Sequence, residues 1–217
     1  MLPTPVLTTL TVTRLEIGHN LGLDRAIPVG AAVLTARLTG ASVRFSIASH
    51  ILQPSDAADN LVLWLDQHLT SPDATICGYR LTEAAGLLSR LPGADWSPAL
   101  RALSGCGVQP ILDLTGRSHD GPLTFGQACG LSRILYAPAD PDERFAAWCR
   151  SDTDRIDHHA QVDVIAAFRL VLRRVAALDP MERKISAAMS AHFTTWLCAS
   201  PNAAARAHVI DLGTAAS

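Results

Sequence analysis

Apolar and polar positions repeat along this chain first with the period of strands and later with that of helices. From Val6 to Ile17 the β-branched residues Val6, Thr8, Thr9, Thr11, Val12 and Thr13 predict a strand, closed by Gly18-His19-Asn20. Two more apolar runs, Pro28 to Leu38 and Ala41 to Ser49, flank Thr39-Gly40 and predict a hairpin. Together the three runs make an antiparallel portion of sheet. Pro54-Ser55-Asp56 then starts a helix, with Ser55 or Asp56 as its cap, because Leu61, Leu65 and Leu69 recur at helical spacing. Asp73 to Tyr79 reads as a short strand, and Leu81 to Leu91 as a helix that Pro92-Gly93 stops. Gly107 to Leu114 is the next strand, placed at an edge or a bulge because Pro110 lacks a backbone donor.

From there the pattern is helical. Leu123 to Leu131 is a short helix, and Asp140 to Arg150 is another, capped by Asp140, with Pro141 in its first turn and Phe145 and Trp148 inward. A long helix runs from about His158 to Leu178 and ends at Asp179-Pro180; Met181 to Cys198 is a terminal helix, and the Ala-rich tail after Pro201 is expected to fray. Strands first, then alternating strand and helix, then helices predict an α/β fold with a mixed sheet.

Composition narrows the picture. With 217 residues and 23.1 kDa the chain fits one domain, residues 1–178, on which a C-terminal helix and tail, 179–217, pack. The charge of -2, with Lys184 the one lysine, excludes a generally basic coat, so any polyanion must meet a local arginine cluster or bound metal. Cys77, Cys106, Cys129, Cys149 and Cys198 are widely spaced and read as reduced core thiols. Met1 to Leu10 lacks the pattern of a signal peptide and no later run is long enough to span a bilayer, so a cytoplasmic protein is expected.

The chemistry concentrates in Asp157-His158-His159-Ala160-Gln161-Val162-Asp163 and the helix that follows. His158-x-Ala160-x-x-Asp163 resembles the third motif of the DEDD 3′–5′ exonucleases in their histidine-containing branch. The run from Val162 to Arg173 also resembles the matching helix of family-B-polymerase-like exonucleases, in which a tyrosine stands four residues before the aspartate; His159 holds that place here. The likeness extends through motif order from about Leu10 to Arg174. Ala26 to Val33 is similar to the family's second strand, with Gly30 as a close-packing residue, and Ile111 to Leu114 with Leu123 to Leu131 is similar to a later strand and helix.

The resemblance implies a ribonuclease-H-like fold: a mixed β-sheet flanked by helices, with a C-terminal helical extension. It also implies hydrolysis at a nucleic-acid 3′ end, single-stranded DNA or RNA, using two Mg²⁺ or Mn²⁺ ions held by carboxylates. Asp163 and Glu16 would be metal ligands and His158 the general base. Glu83, within the segment Thr75 to Leu88 that matches the second motif, is either a further ligand or an ordinary first-turn glutamate favoured by the helix dipole.

The sequence departs from the pattern at Arg14, which stands where the family's first aspartate bridges both metals; an arginine repels a cation. Two readings therefore stand side by side: a weak exonuclease, and a catalytically inactive binding or scaffold protein in which Arg14 pairs with Glu16 or Asp163. Asp113 and Asp157 are the aspartates that could replace the missing ligand, whereas Asp152 and Asp154 read as solvated caps. Trp64, Trp148 and Trp196 read as core residues and Arg169, Arg173 and Arg174 as a solvated stripe. The amphipathic late helices leave a homodimer as a further expectation.

Overall fold

The Thr- and Val-rich run forms β1 (Val6–Ile17), the central strand of a five-stranded sheet ordered β3-β2-β1-β4-β5. The computed structural model describes residues 5–18, 25–118, 121–138, 140–178 and 180–215. The other strands are β2 (Arg25–Thr39), β3 (Ser42–Ile51), β4 (Ala74–Tyr79) and β5 (Ile111–Leu114). β1, β2 and β3 pair antiparallel, while β4 runs parallel to both β1 and β5. The antiparallel hairpin turns at Gly40-Ala41, one residue later than Thr39-Gly40, and Gly40 takes a φ of 62° open to glycine. β5 begins directly after Pro110 at the sheet edge, so the missing N–H costs no ladder bond.

Helices cover both faces. Parallel strands need crossovers, and α1 (Asp59–Leu69), α2 (Leu81–Leu88) and α3 (Pro98–Leu103) supply them on one face. Their Leu61, Leu65 and Leu88 pack with Leu10 and Ile76 of the sheet. On the other face lie α4 (Phe125–Leu131), α5 (Pro141–Cys149) and the long α6 (Thr153–Ala176), followed by α7 (Pro180–Ala199) and α8 (Ala203–Ala215). Phe168 of α6 is fully buried and meets Phe45 of β3 and Phe193 of α7 with ring centroids 5.9 and 4.7 Å apart. This mixed sheet with two helical layers and a C-terminal helical extension is the expected ribonuclease-H-like fold. Gly30 is a close-packing residue: a Cβ there would lie 2.7 Å from the His50 carbonyl of β3. Among the described residues no helix is long and apolar enough to cross a membrane.

Several expectations are corrected. α6 begins at Thr153, so the histidine motif lies one turn inside the helix and not at its mouth. α1 begins at Asp59, and Asp56 instead accepts the Gln53 N–H at 2.8 Å. The tail after Pro201 is not frayed but forms α8, with Ala204, Ala205 and His208 fully buried. Arg169 is not solvated, being 9% exposed inside the core. Phe145 is exposed, because the buried stripe of α5 runs through Ala147 and Trp148, whose Nε1 donates to the Leu52 carbonyl at 2.7 Å. Cys77 and Cys129 are buried, but Cys106, Cys149 and Cys198 are exposed. Burial pushes the Cys77 and Cys129 thiols up to about 12, so neither is a nucleophile.

Candidate functional site

The site lies where the end of β1 meets α5 and the first turns of α6. The pairing of β1 with β2 shifts register between Thr13 and Arg14: Thr13 faces Gly30, and Arg14 faces Pro28, leaving Val29 as the extra residue. Pro28 cannot donate to a ladder, which makes this the natural point for a bulge. Beyond it Arg14 and Glu16 share one face of the strand, as residues two apart must. Arg14 Nη2 donates to Glu16 Oε1 at 3.1 Å, and both side chains are about half exposed.

Asp163 approaches from α6. Its Oδ1 accepts the Ala137 N–H at 2.9 Å, and its carboxyl is largely enclosed. Burial pushes its pKa up to about 6, a shift held back by that hydrogen bond and by the cation of Arg144. Arg144, from α5, lies within electrostatic reach of both Asp163 and Glu16. Burial lowers its pKa, while the two carboxylates favour its charge and Arg14 opposes it. Its Nη1 donates to the Arg14 carbonyl at 3.3 Å, and its buried Nε has no partner.

The histidines stand beside this group. His158 and His159 have ring centroids 6.3 Å apart. The four-residue step from His159 to Asp163 keeps both on one helix face, whereas the five-residue step from His158 turns it about 140° away. Burial lowers the His159 pKa, and Arg144, Arg155 and His158 push it further down against the pull of Glu143. Arg155 Nη2 pairs with Glu143 Oε2 at 2.9 Å.

The structure thus gathers Glu16 and Asp163 around Arg144 and keeps Glu83 elsewhere. Glu83 sits in the first turn of α2 in an ion pair with Arg80, three residues before it. Asp113 does not supply the missing ligand: its carboxylate caps α2, accepting from Leu81 N at 2.8 Å, Thr82 N at 3.0 Å and Thr82 Oγ1 at 2.7 Å. Asp157 is held by Gln161 Nε2 at 2.7 Å. Asp152 and Asp154 are exposed at the start of α6. Sequence reasoning passed over Arg144, Arg155 and the Ala137 amide. The one available signal was the phase of α5, whose buried stripe includes Arg144 once Phe145 is turned outward.

As a two-metal centre this arrangement does not fit. Hard divalent cations need several oxygen ligands, yet Glu16 is paired with the Arg14 guanidinium and a second guanidinium, Arg144, lies within electrostatic reach of both Glu16 and Asp163. Among the described residues no group of three or more His, Cys, Asp or Glu side chains could hold a metal ion.

No protein-family model matches the chain, and no curated protein matches it. Among solved structures, the crystal structure of exonuclease I in complex with the inhibitor BCBP is similar, with a TM-score of 0.50 and 11% identity over 82% of this chain and 42% of that one. The chain therefore spans less than half the length of that protein. At this identity the likeness is one of fold: the chain has an exonuclease-like fold.

Proposed function

We propose that this protein is a degenerate exonuclease-fold module that binds single-stranded nucleic acid near a 3′ end without metal-dependent cleavage. One observation carries the reading: arginines occupy the surroundings of the two carboxylates that a metal would need, Arg14 on Glu16 and Arg144 facing both Glu16 and Asp163. The same arginines, with Arg155, gather positive charge around the ends of β1 and α5 and the first turns of α6. They supply the local cluster that a chain of net charge -2 requires for a polyanion. Binding of this kind weakens steeply with salt.

The competing reading is a weak, Mg²⁺- or Mn²⁺-dependent 3′–5′ exonuclease of the DEDD type with His158 as base. It is favoured by the convergence of Glu16 and Asp163 on one place. The test is a gel assay of 5′-labelled single-stranded DNA and RNA with either metal, run beside anisotropy measurements of binding. The expected outcome is salt-sensitive binding with no laddering. Laddering that Asp163→Ala abolishes would overturn the proposal.

A further inference from the structure

Between α5 and the first turns of α6 lies a small cleft, open to solvent on one side, so that a group bound there sits at its mouth and not inside a closed cavity. Ala147 and Ile156, each 2% exposed, form its floor. Arg144, Arg155, His159 and Glu143 contribute its polar wall, with Asp140 also lining it. The two acids in this wall are already engaged. Asp140 Oδ1 accepts the Asp142 N–H at 2.8 Å as the cap of α5, and Glu143 is paired with Arg155.

Arg144 is the opposite case. A guanidinium carries five N–H donors, and among the described residues the Arg14 carbonyl is the one hydrogen-bond partner of this one. Neither Asp163 nor Glu16 makes a hydrogen bond or close ion pair with it, although both favour its charge. The field in the cleft agrees with this count, since the Arg144 and Arg155 cations both disfavour charge on the His159 ring and Glu143 opposes them less. A desolvated arginine with unspent donors, a second arginine and an imidazole on one wall form the surroundings that suit a tetrahedral, multiply charged oxyanion.

We infer that the α5–α6 cleft is a metal-free binding site for a phosphate group, with Arg144, Arg155 and His159 as its donors. The inference rests on the proposed binding function and extends it, because the group taken is either free phosphate or the terminal phosphate of a nucleic-acid strand. Glu143 tunes the site by neutralising Arg155.

Calorimetric titration of the full chain with inorganic phosphate tests it, alongside anisotropy of single-stranded 12-mers ending in a 3′-hydroxyl or a 3′-phosphate. Phosphate is expected to bind with a Kd on the order of 1 mM or tighter. Arg155→Gln should weaken it about fivefold and Glu143→Gln should tighten it about threefold, since the first removes a donor and the second removes an opposing charge. Both residues are exposed, so both variants should keep the wild-type melting temperature, and a purely structural pair would not give opposite signs.

Preference for the 3′-phosphate strand that Arg155→Gln removes would assign the site to strand ends. Phosphate binding without any strand binding would support the cleft while sinking the proposed function. Strands bound equally with either terminus, with phosphate not bound and both variants silent, would overturn the cleft and leave the proposed function standing.

Discussion

Two half-buried acidic groups meet arginines along α6, and they are built in opposite ways. Asp211 reaches α6 from α8 and pairs with the buried Arg169, whose Nη1 also donates to His208 Nδ1 at 3.0 Å. His208 Nε2 lies 3.0 Å from the Val162 carbonyl, so the neutral ring donates there and accepts from the arginine. Leu135 N completes the set by donating to Asp211 at 3.3 Å. Asp163, six residues before Arg169, has one backbone donor and an arginine that makes no hydrogen bond to it. The first cluster is satisfied as a structural joint should be. The second leaves a carboxyl of raised pKa and a guanidinium whose donors are mostly unspent among the described residues, as is common where a protein meets a ligand and uncommon in a core built for stability.

The largest expected effect breaks the satisfied cluster. Arg169→Leu removes the guanidinium that pairs with Asp211 and donates to His208, and should cost about 3–5 kcal/mol in urea unfolding. Asp163→Asn keeps an acceptor for Ala137 while removing a charge that burial disfavours, so stability at pH 7 should change by less than about 1 kcal/mol or rise. A loss as large as that of Arg169→Leu would show that the two clusters are alike after all.

The pH dependence sharpens the contrast. Burial and the Arg169 cation push His208 down from 6.5 to about 4, so the unfolded chain binds more protons there between those values. That contribution is complete above pH 6.5 and is lost as pH falls to 4. Asp211 adds to it: although burial raises its pKa, Arg169 and Leu135 N hold it below the usual range, and its contribution too is lost in acid. Asp163 is raised from 3.8 to about 6, so the folded chain binds more protons across that window and stability falls as pH rises through it. The opposed slopes should leave the wild type nearly flat between pH 4 and 6. Asp163→Asn should unmask an acid loss of about 3 kcal/mol between pH 6.5 and 4, the size of the His208 shift, in denaturation midpoints followed by circular dichroism. The smallest effect is at Glu83, whose exposed pair with Arg80 predicts a change under about 0.5 kcal/mol for Glu83→Ala and no change in strand binding.

The strands were legible because β-branched runs and the turn at Gly40 are local signals, and Pro110 correctly marked an edge. α8 was not, since its Ala-rich sequence has little amphipathic contrast and its docking depends on Arg169 meeting His208 across 39 positions. The site was half legible. Glu16 and Asp163 stand out by motif and do face a common cation, but Arg144 reaches the Arg14 carbonyl across 130 positions, and no periodicity announces such a contact. Arg14 was readable as a departure from the pattern, and its pairing with Glu16 follows from strand geometry alone.

The short loop before α5 has a mechanical consequence. Leu135 N is held by Asp211 of α8, and two residues further on Ala137 N holds Asp163. A pull on the C-terminus that peels α8 away therefore slackens the loop at one end and loosens the grip on Asp163 at the other. Through these two hydrogen bonds α8 is tied, two residues apart on one loop, to a site that it never enters.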